Sequence, residues 1–233
     1  MPDALHRYAN ADALAEALAT QVAARLRAAI AARGAALLAV SGGSTPARFF
    51  ERLSHEALAW SKVRVTLVDE RWVLESSERS NARLVKSLLL RHAAADANFV
   101  PLYVEAPTPE AAIAALRARI ATLPTTFDVV VLGMGGDGHT ASFFPGGDRL
   151  AEVLDLNGTA RVLPMRAAGA GEPRITFTLP ALLDSRTLFV HIEGEAKCAV
   201  LDAAREPGST LPMAAVLRAA PQLDIYWCPW KKP

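Results

Sequence analysis

The residues best suited to chemistry lie together in Phe127–Gly147, which reads FDVVVLGMGGDGHTASFFPGG. Phe127–Leu132 has the length and the β-branched content of a buried strand. It runs into Gly133, Gly135, Gly136 and Gly138, where bare backbone can come close to a ligand. Asp137 and His139 sit inside that loop. A neutral imidazole can take a proton from water near pH 7, so His139 is the candidate general base. Asp137 would either orient the ring or hold the loop. The N–H groups of Gly135 and Gly136 are candidate donors to a developing oxyanion. Thr140–Phe144 is expected to form a short helix that Pro145 stops. Gly133, Gly135 and Gly138 also satisfy G-x-G-x-x-G, but without the long helix and the acid-tipped strand of a dinucleotide site.

Two more stretches place polar groups at strand ends. Ala35–Ser41 reads as an apolar strand and enters Gly42, Gly43, Ser44 and Thr45, with Pro46 suited to the first turn of a helix over Ala47–Leu53. Amides and hydroxyls in that arrangement suit a phosphate. Val63–Val68 reads as a strand ending in Asp69, Glu70 and Arg71, where open α/β sheets place ligands. Asp69 would bond a sugar hydroxyl or hold Arg71. Lys197 opens a helix after Gly194, against the dipole there, and so hints at a bound anion. Arg174 is a further cation candidate.

The elements that must carry these groups alternate. Leu14, Leu18, Val22, Leu26 and Ile30 recur every four residues and predict a long helix that Gly34 ends. Strands are expected at Leu5–Tyr8, Phe99–Val104, Val162–Met165, Arg174–Thr178, Thr187–Ile192 and Leu223–Cys228. Helices are expected from Ser80 through Leu89, over Glu110–Leu123, from Gly194 to Arg205 and over Leu211–Ala219. The alternation predicts an α/β fold with a mostly parallel sheet and helices on both faces.

At 233 residues, the chain is expected to be a single domain spanning 1–233. A net charge of +1 offers no field for nucleic acid or an anionic membrane. Cys198 and Cys228 fit neither zinc spacing nor a disulfide framework. With no signal-like N-terminus and no apolar run of membrane length, a cytoplasmic location is expected.

SGGSTPARFFERL, DERWV with the later SNARL, and GMGGDGHTASFFPG together resemble the 6-phosphogluconolactonase family, and RITFTLPALLDS and the Gly194–Lys197 turn follow in the expected order. The resemblance implies a sugar-phosphate isomerase-like, modified Rossmann-type fold. It implies hydrolysis of 6-phospho-D-glucono-1,5-lactone in the pentose phosphate pathway. No acyl-enzyme is expected, because the chain has no Gly-x-Ser-x-Gly elbow. No metal or cofactor is expected either, because a lactone is already an activated ester. It implies a small-molecule substrate and a monomer or weak homo-oligomer. The runner-up is a glucosamine-6-phosphate deaminase, which shares the Asp-Gly-His but continues with a glutamate where this chain reads TASFFP. A non-catalytic sugar-phosphate sensor is the third reading. The loop Ala167–Pro173 lacks the usual lysine of the family.

Overall fold

In the computed structural model, which describes residues 4–229, the apolar segments Ala36–Val40 (β2) and Val129–Gly133 (β6) sit side by side at the centre of a seven-stranded sheet. Every residue of the first, and all but the last of the second, is buried. Strands buried in this way must be covered on both faces, as expected for a parallel sheet. Val63–Leu67 (β3) and Asn98–Val100 (β5) extend the sheet on the β2 side. Leu188–Glu193 (β9), Asp224–Cys228 (β10) and Ala4–Arg7 (β1) extend it on the β6 side. All pairings in this sheet are parallel.

The chain builds outward from β2 in one direction, returns to β6, and builds outward in the other. The order therefore reverses between β2 and β6, and loops leaving their C-terminal ends diverge to open a crevice. That crevice receives Gly42–Thr45 from one side and Met134–Thr140 from the other.

The expected long helix is Ala11–Arg33 (α1), capped by the Asn10 side chain, which accepts from the Ala13 amide at 2.9 Å. Leu14, Leu18, Val22 and Leu26 of its stripe are fully buried. Ala47–Ser54 (α2) lays Phe49 and Phe50 under the first loop. Asn81–Leu88 (α3) starts with Ser80 as its cap. Pro109–Ile120 (α4), Glu195–Arg205 (α7) and Pro212–Ala219 (α8) match the expected helices. Leu150–Leu154 (α5) is a short helix for which there was no expectation from sequence, and Leu179–Leu183 (α6) is a short turn of helix.

Three local expectations are corrected. Asp69–Arg71 is a strand of its own (β4), pairing antiparallel with Arg174–Phe177 (β8), which pairs with Val162–Met165 (β7). A bend at Val68 moves the chain from the large sheet to this small one. Thr140–Phe144 is a tight turn and not a helix. Ala141 has φ 48° there, outside right-handed helical space. The strand expected over Phe99–Val104 reaches only Val100.

Candidate active site

Residues from six segments converge on one cavity of about 350 Å³ at the switch between β2 and β6. Gly42, Gly43, Ser44, Thr45, Asp69, Arg71, Gly135, His139, Arg174 and Lys197, all singled out from sequence, line it. Asn81 and His191 line it as well, although sequence reasoning gave neither a role.

His139 is held from behind. Its Nδ1–H donates to Asp137 Oδ1 at 2.5 Å, and its backbone amide donates to the same oxygen at 3.1 Å. A carboxylate only accepts, so the proton is fixed on Nδ1 and the Nε2 lone pair is left available. Asp137 thus orients the ring and shapes the loop at once. Partial burial works to raise its pKa, but the His139 amide and ring more than offset this and hold it below the ordinary carboxylate value. Phe144 packs against the imidazole, with ring centroids 4.5 Å apart.

The oxyanion expectation at Gly135 and Gly136 is corrected. The Gly135 amide donates to the His139 carbonyl at 2.8 Å, and Gly136 is exposed and does not line the cavity. Gly135 has a steric role instead. A Cβ there would lie 2.2 Å from His139 Cε1 and 2.3 Å from Nδ1. Only a glycine lets the imidazole fold down at this point.

Across the crevice, the amides of Gly42, Gly43, Ser44 and Thr45 donate to no other backbone group among the described residues. Lys197 Nζ donates to Thr45 Oγ1 at 3.0 Å, so the cation stands at the edge of this loop. Burial lowers the pKa of Lys197 and nearby Glu193 opposes that shift. Glu193 in turn accepts from His191 Nε2 at 3.1 Å, leaving the buried Nδ1 of that ring without a partner. His191 hides inside LFVHIE, where one polar residue gives no pattern to read.

The facing wall is made by β4 and β8, whose register sets Arg71 directly opposite Arg174. Like charges opposite one another destabilise an antiparallel pair unless something negative lies between them. Arg71 donates from Nη1 to the Arg79 carbonyl, and Arg174 from Nη2 to the Ala170 carbonyl at 2.8 Å. The Nε atoms of both are buried and unpartnered. Burial pushes the Arg174 pKa down, Asp69 opposes this and Arg71 adds to it. Asp69 does not pair with Arg71. Its Oδ2 accepts from Ser142 Oγ at 2.6 Å and stands 3.9 Å from Arg174 Nη1. Asn81 donates from Nδ2 to the Asp69 carbonyl at 3.0 Å and packs its amide on Gly42, where a Cβ would fall 2.0 Å from Oδ1. Among the described residues no cluster of His, Cys, Asp or Glu could hold a metal ion.

An imidazole with its proton fixed away from the cavity, beside a basket of free amides and cations, is equipped for a water-dependent reaction on an anionic substrate. Residues 9–227 match the family model for glucosamine-6-phosphate isomerases and 6-phosphogluconolactonase. The chain belongs to this family. Within it, the protein is 58% identical to a 6-phosphogluconolactonase of Rhizobium meliloti, over 97% of this chain and 98% of the relative. It is 44% identical to one of Pseudomonas aeruginosa, over 97% and 94% respectively. The crystal structure of a 6-phosphogluconolactonase from Shewanella baltica superposes with a TM-score of 0.91 at 37% identity, covering 97% of each chain. A monomeric glucosamine-6-phosphate deaminase shares the fold, with a TM-score of 0.78 at 16% identity. The sugar-phosphate isomerase-like α/β architecture is therefore common to both branches of the family. No helix among the described residues is long and apolar enough to cross a membrane.

Proposed function

We propose that this protein is a single-domain 6-phosphogluconolactonase, which hydrolyses 6-phospho-D-glucono-1,5-lactone to 6-phospho-D-gluconate in the pentose phosphate pathway. The observation that carries the reading is the Asp137–His139 pair, whose free imidazole nitrogen belongs to a cavity ringed by anion-binding groups. The names and high identity of the relatives point to the same reaction.

His139 Nε2 takes a proton from a water that attacks the lactone carbonyl. As the acyl–oxygen bond breaks, the imidazolium returns that proton to the ring oxygen, which leaves as the hydroxyl of the opened acid. The imidazolium formed is stabilised by Asp137, which already accepts its Nδ1–H. The sequence contains no Gly-x-Ser-x-Gly elbow, so in this reading the water adds directly. The amides and hydroxyls of Gly42–Thr45, with Lys197, take the phosphate, and Arg71 and Arg174 add charge from the facing wall. Asp69 accepts from a sugar hydroxyl. The reaction needs no metal and no cofactor, because a lactone is already an activated ester.

The deaminase reading is disfavoured by what surrounds the base. The Asp-Gly-His is shared with deaminases, but the segment after it, TASFFP, supplies the aromatic Phe144 to the His139 ring and contains no glutamate.

The test is hydrolysis of freshly prepared lactone near pH 6.5, with the spontaneous opening subtracted. His139→Ala should lower kcat by ~10²–10⁴-fold, the usual contribution of a general base. Wild-type activity on glucosamine 6-phosphate with none on the lactone would reverse the assignment. Binding of 6-phosphogluconate without turnover of either compound would favour the sensor.

A further inference from the structure

Glu70 lies between two cavity residues but points away from the cavity and is fully buried. Its Oε1 accepts from the Arg71 amide at 2.8 Å and from the Asn81 amide at 2.8 Å. Its Oε2 accepts from the Ala82 amide at 2.7 Å and from Ser80 Oγ at 3.3 Å. One carboxylate thus ties the strand bearing Arg71 to the first turn of α3, which bears Asn81. The Asn81 side chain completes the clamp by donating to the Asp69 carbonyl and resting on Gly42. The remaining charged groups of these elements do not reach it. Arg83 and Lys86 of α3 bond the Ser76 carbonyl and Glu75, and Arg174 of β8 bonds the Ala170 carbonyl. The negative charge of Asp69 repels it and adds to the rise in its pKa.

We infer that Glu70 is a positioning residue for substrate binding: its carboxylate sets Arg71 and Asn81 in register, so that wall of the cavity binds tightly only while Glu70 is ionised. The inference rests on the reading that the cavity takes a sugar phosphate. Without the charge, one oxygen becomes a donor, and at least one of the amides of Arg71, Asn81 and Ala82 loses its acceptor. β4 and α3 are then free to shift relative to each other. Because burial raises the pKa of Glu70 to about 6, the clamp forms as pH rises through that value.

Glu70→Gln keeps the shape and removes the charge. At pH 7.5 the dissociation constant for 6-phosphogluconate, measured by calorimetry, and KM for the lactone should rise ~10-fold, with kcat within ~3-fold of wild type. The ratio of the two proteins' constants should fall toward one at pH 5.5, where the wild-type carboxyl is itself mostly protonated. Ionisation of the ligand's phosphate affects both proteins alike and cancels in this ratio. A ratio of one at pH 7.5, or a raised ratio that stays flat to pH 5.5, overturns the inference, since a role in folding alone predicts the latter. If Glu70→Gln does not fold, Glu70→Asp keeps the charge and withdraws the oxygens. It should weaken binding at pH 7.5, and unchanged affinity overturns the clamp. Inorganic phosphate is titrated in parallel. Wild-type binding of phosphate but not of 6-phosphogluconate would overturn the sugar-phosphate reading, while the Glu70 comparison is still read on phosphate.

Discussion

The imidazole of His139 occupies space that any side chain at residue 135 would need. A methyl there would meet the movable end of a side chain and not backbone, so Gly135→Ala should displace the ring while leaving the fold intact. Misplacing a catalytic group by about an ångström typically costs ~10²-fold in rate. The expected result is a kcat reduced by that order, with KM and the urea midpoint near wild type. A kcat equal to wild type would show that the ring works from another position. At this scale the site was legible wherever unusual residue types cluster. Asp137, His139, Gly42–Thr45 and Lys197 announce themselves because glycine runs and charges at strand ends have few structural uses. Asn81 and Glu70 were hidden because each acts through a partner distant in sequence, as Asn81 does on Gly42, and no local spacing encodes such a contact. His191 was hidden because it is a single polar residue inside an apolar strand. The glycine amides mislead in the opposite way: Gly135 looks like a free donor until the loop closes on the His139 carbonyl.

The strands of the large sheet divide their labour along their length, chemistry at the C-terminal end and anchoring at the other. Asp128 begins the central pair at the end away from the cavity. It is buried, and its Oδ2 accepts from the Leu37 amide at 2.8 Å, while Arg33 bonds Oδ1. Asp128→Ala would strand that amide and leave Arg33 without its partner. Leaving such a group unsatisfied typically costs ~1–3 kcal/mol. For a chain of this size that corresponds to a fall in Tm of roughly 2–12 °C. The kinetic constants of the folded enzyme should not change, and a changed KM would mean that strain at the base of β6 reaches the crevice. The long parallel strands were predictable because apolar runs of about five residues that end at glycines or polar residues leave little choice. The three-stranded sheet was not. β4 is only Asp-Glu-Arg, with no alternation to read, and it becomes a strand solely because β8 lies alongside it. At Ala141 a left-handed φ accompanies the bridge between Thr140 and Phe143, and an alanine in the sequence gives no sign of such a turn.

For the molecule as a whole, Glu70 makes stability and site geometry compete. Its pKa in the folded protein is about 6, against an ordinary 4.5, with burial as the main cause and the three amides opposing it. Between those two values the folded state holds a proton that the unfolded state has already released. Stability must therefore fall as pH rises through this window. The displacement, 6 − 4.5 = 1.5 pH units, corresponds to about 2 kcal/mol lost between pH 4 and 7. Asp137 has the opposite sign, because a carboxylate held below its ordinary value contributes stability that is lost as pH falls. Summed over all groups, the pH profile of the wild type would conceal the Glu70 contribution, but comparison with Glu70→Gln isolates it. Whatever the variant loses in hydrogen bonds is the same at every pH, so only the proton-linked part changes. Urea unfolding at pH 4, 5, 6 and 7 should show wild-type stability declining relative to the variant by about 2 kcal/mol across the series. A constant offset between the two proteins would mean that Glu70 titrates normally and that its four hydrogen bonds compensate fully for burial. A sloping offset would mean that the charged clamp behind Arg71 is kept at neutral pH against the stability of the fold, which is the signature of a residue retained for the site and not for the core.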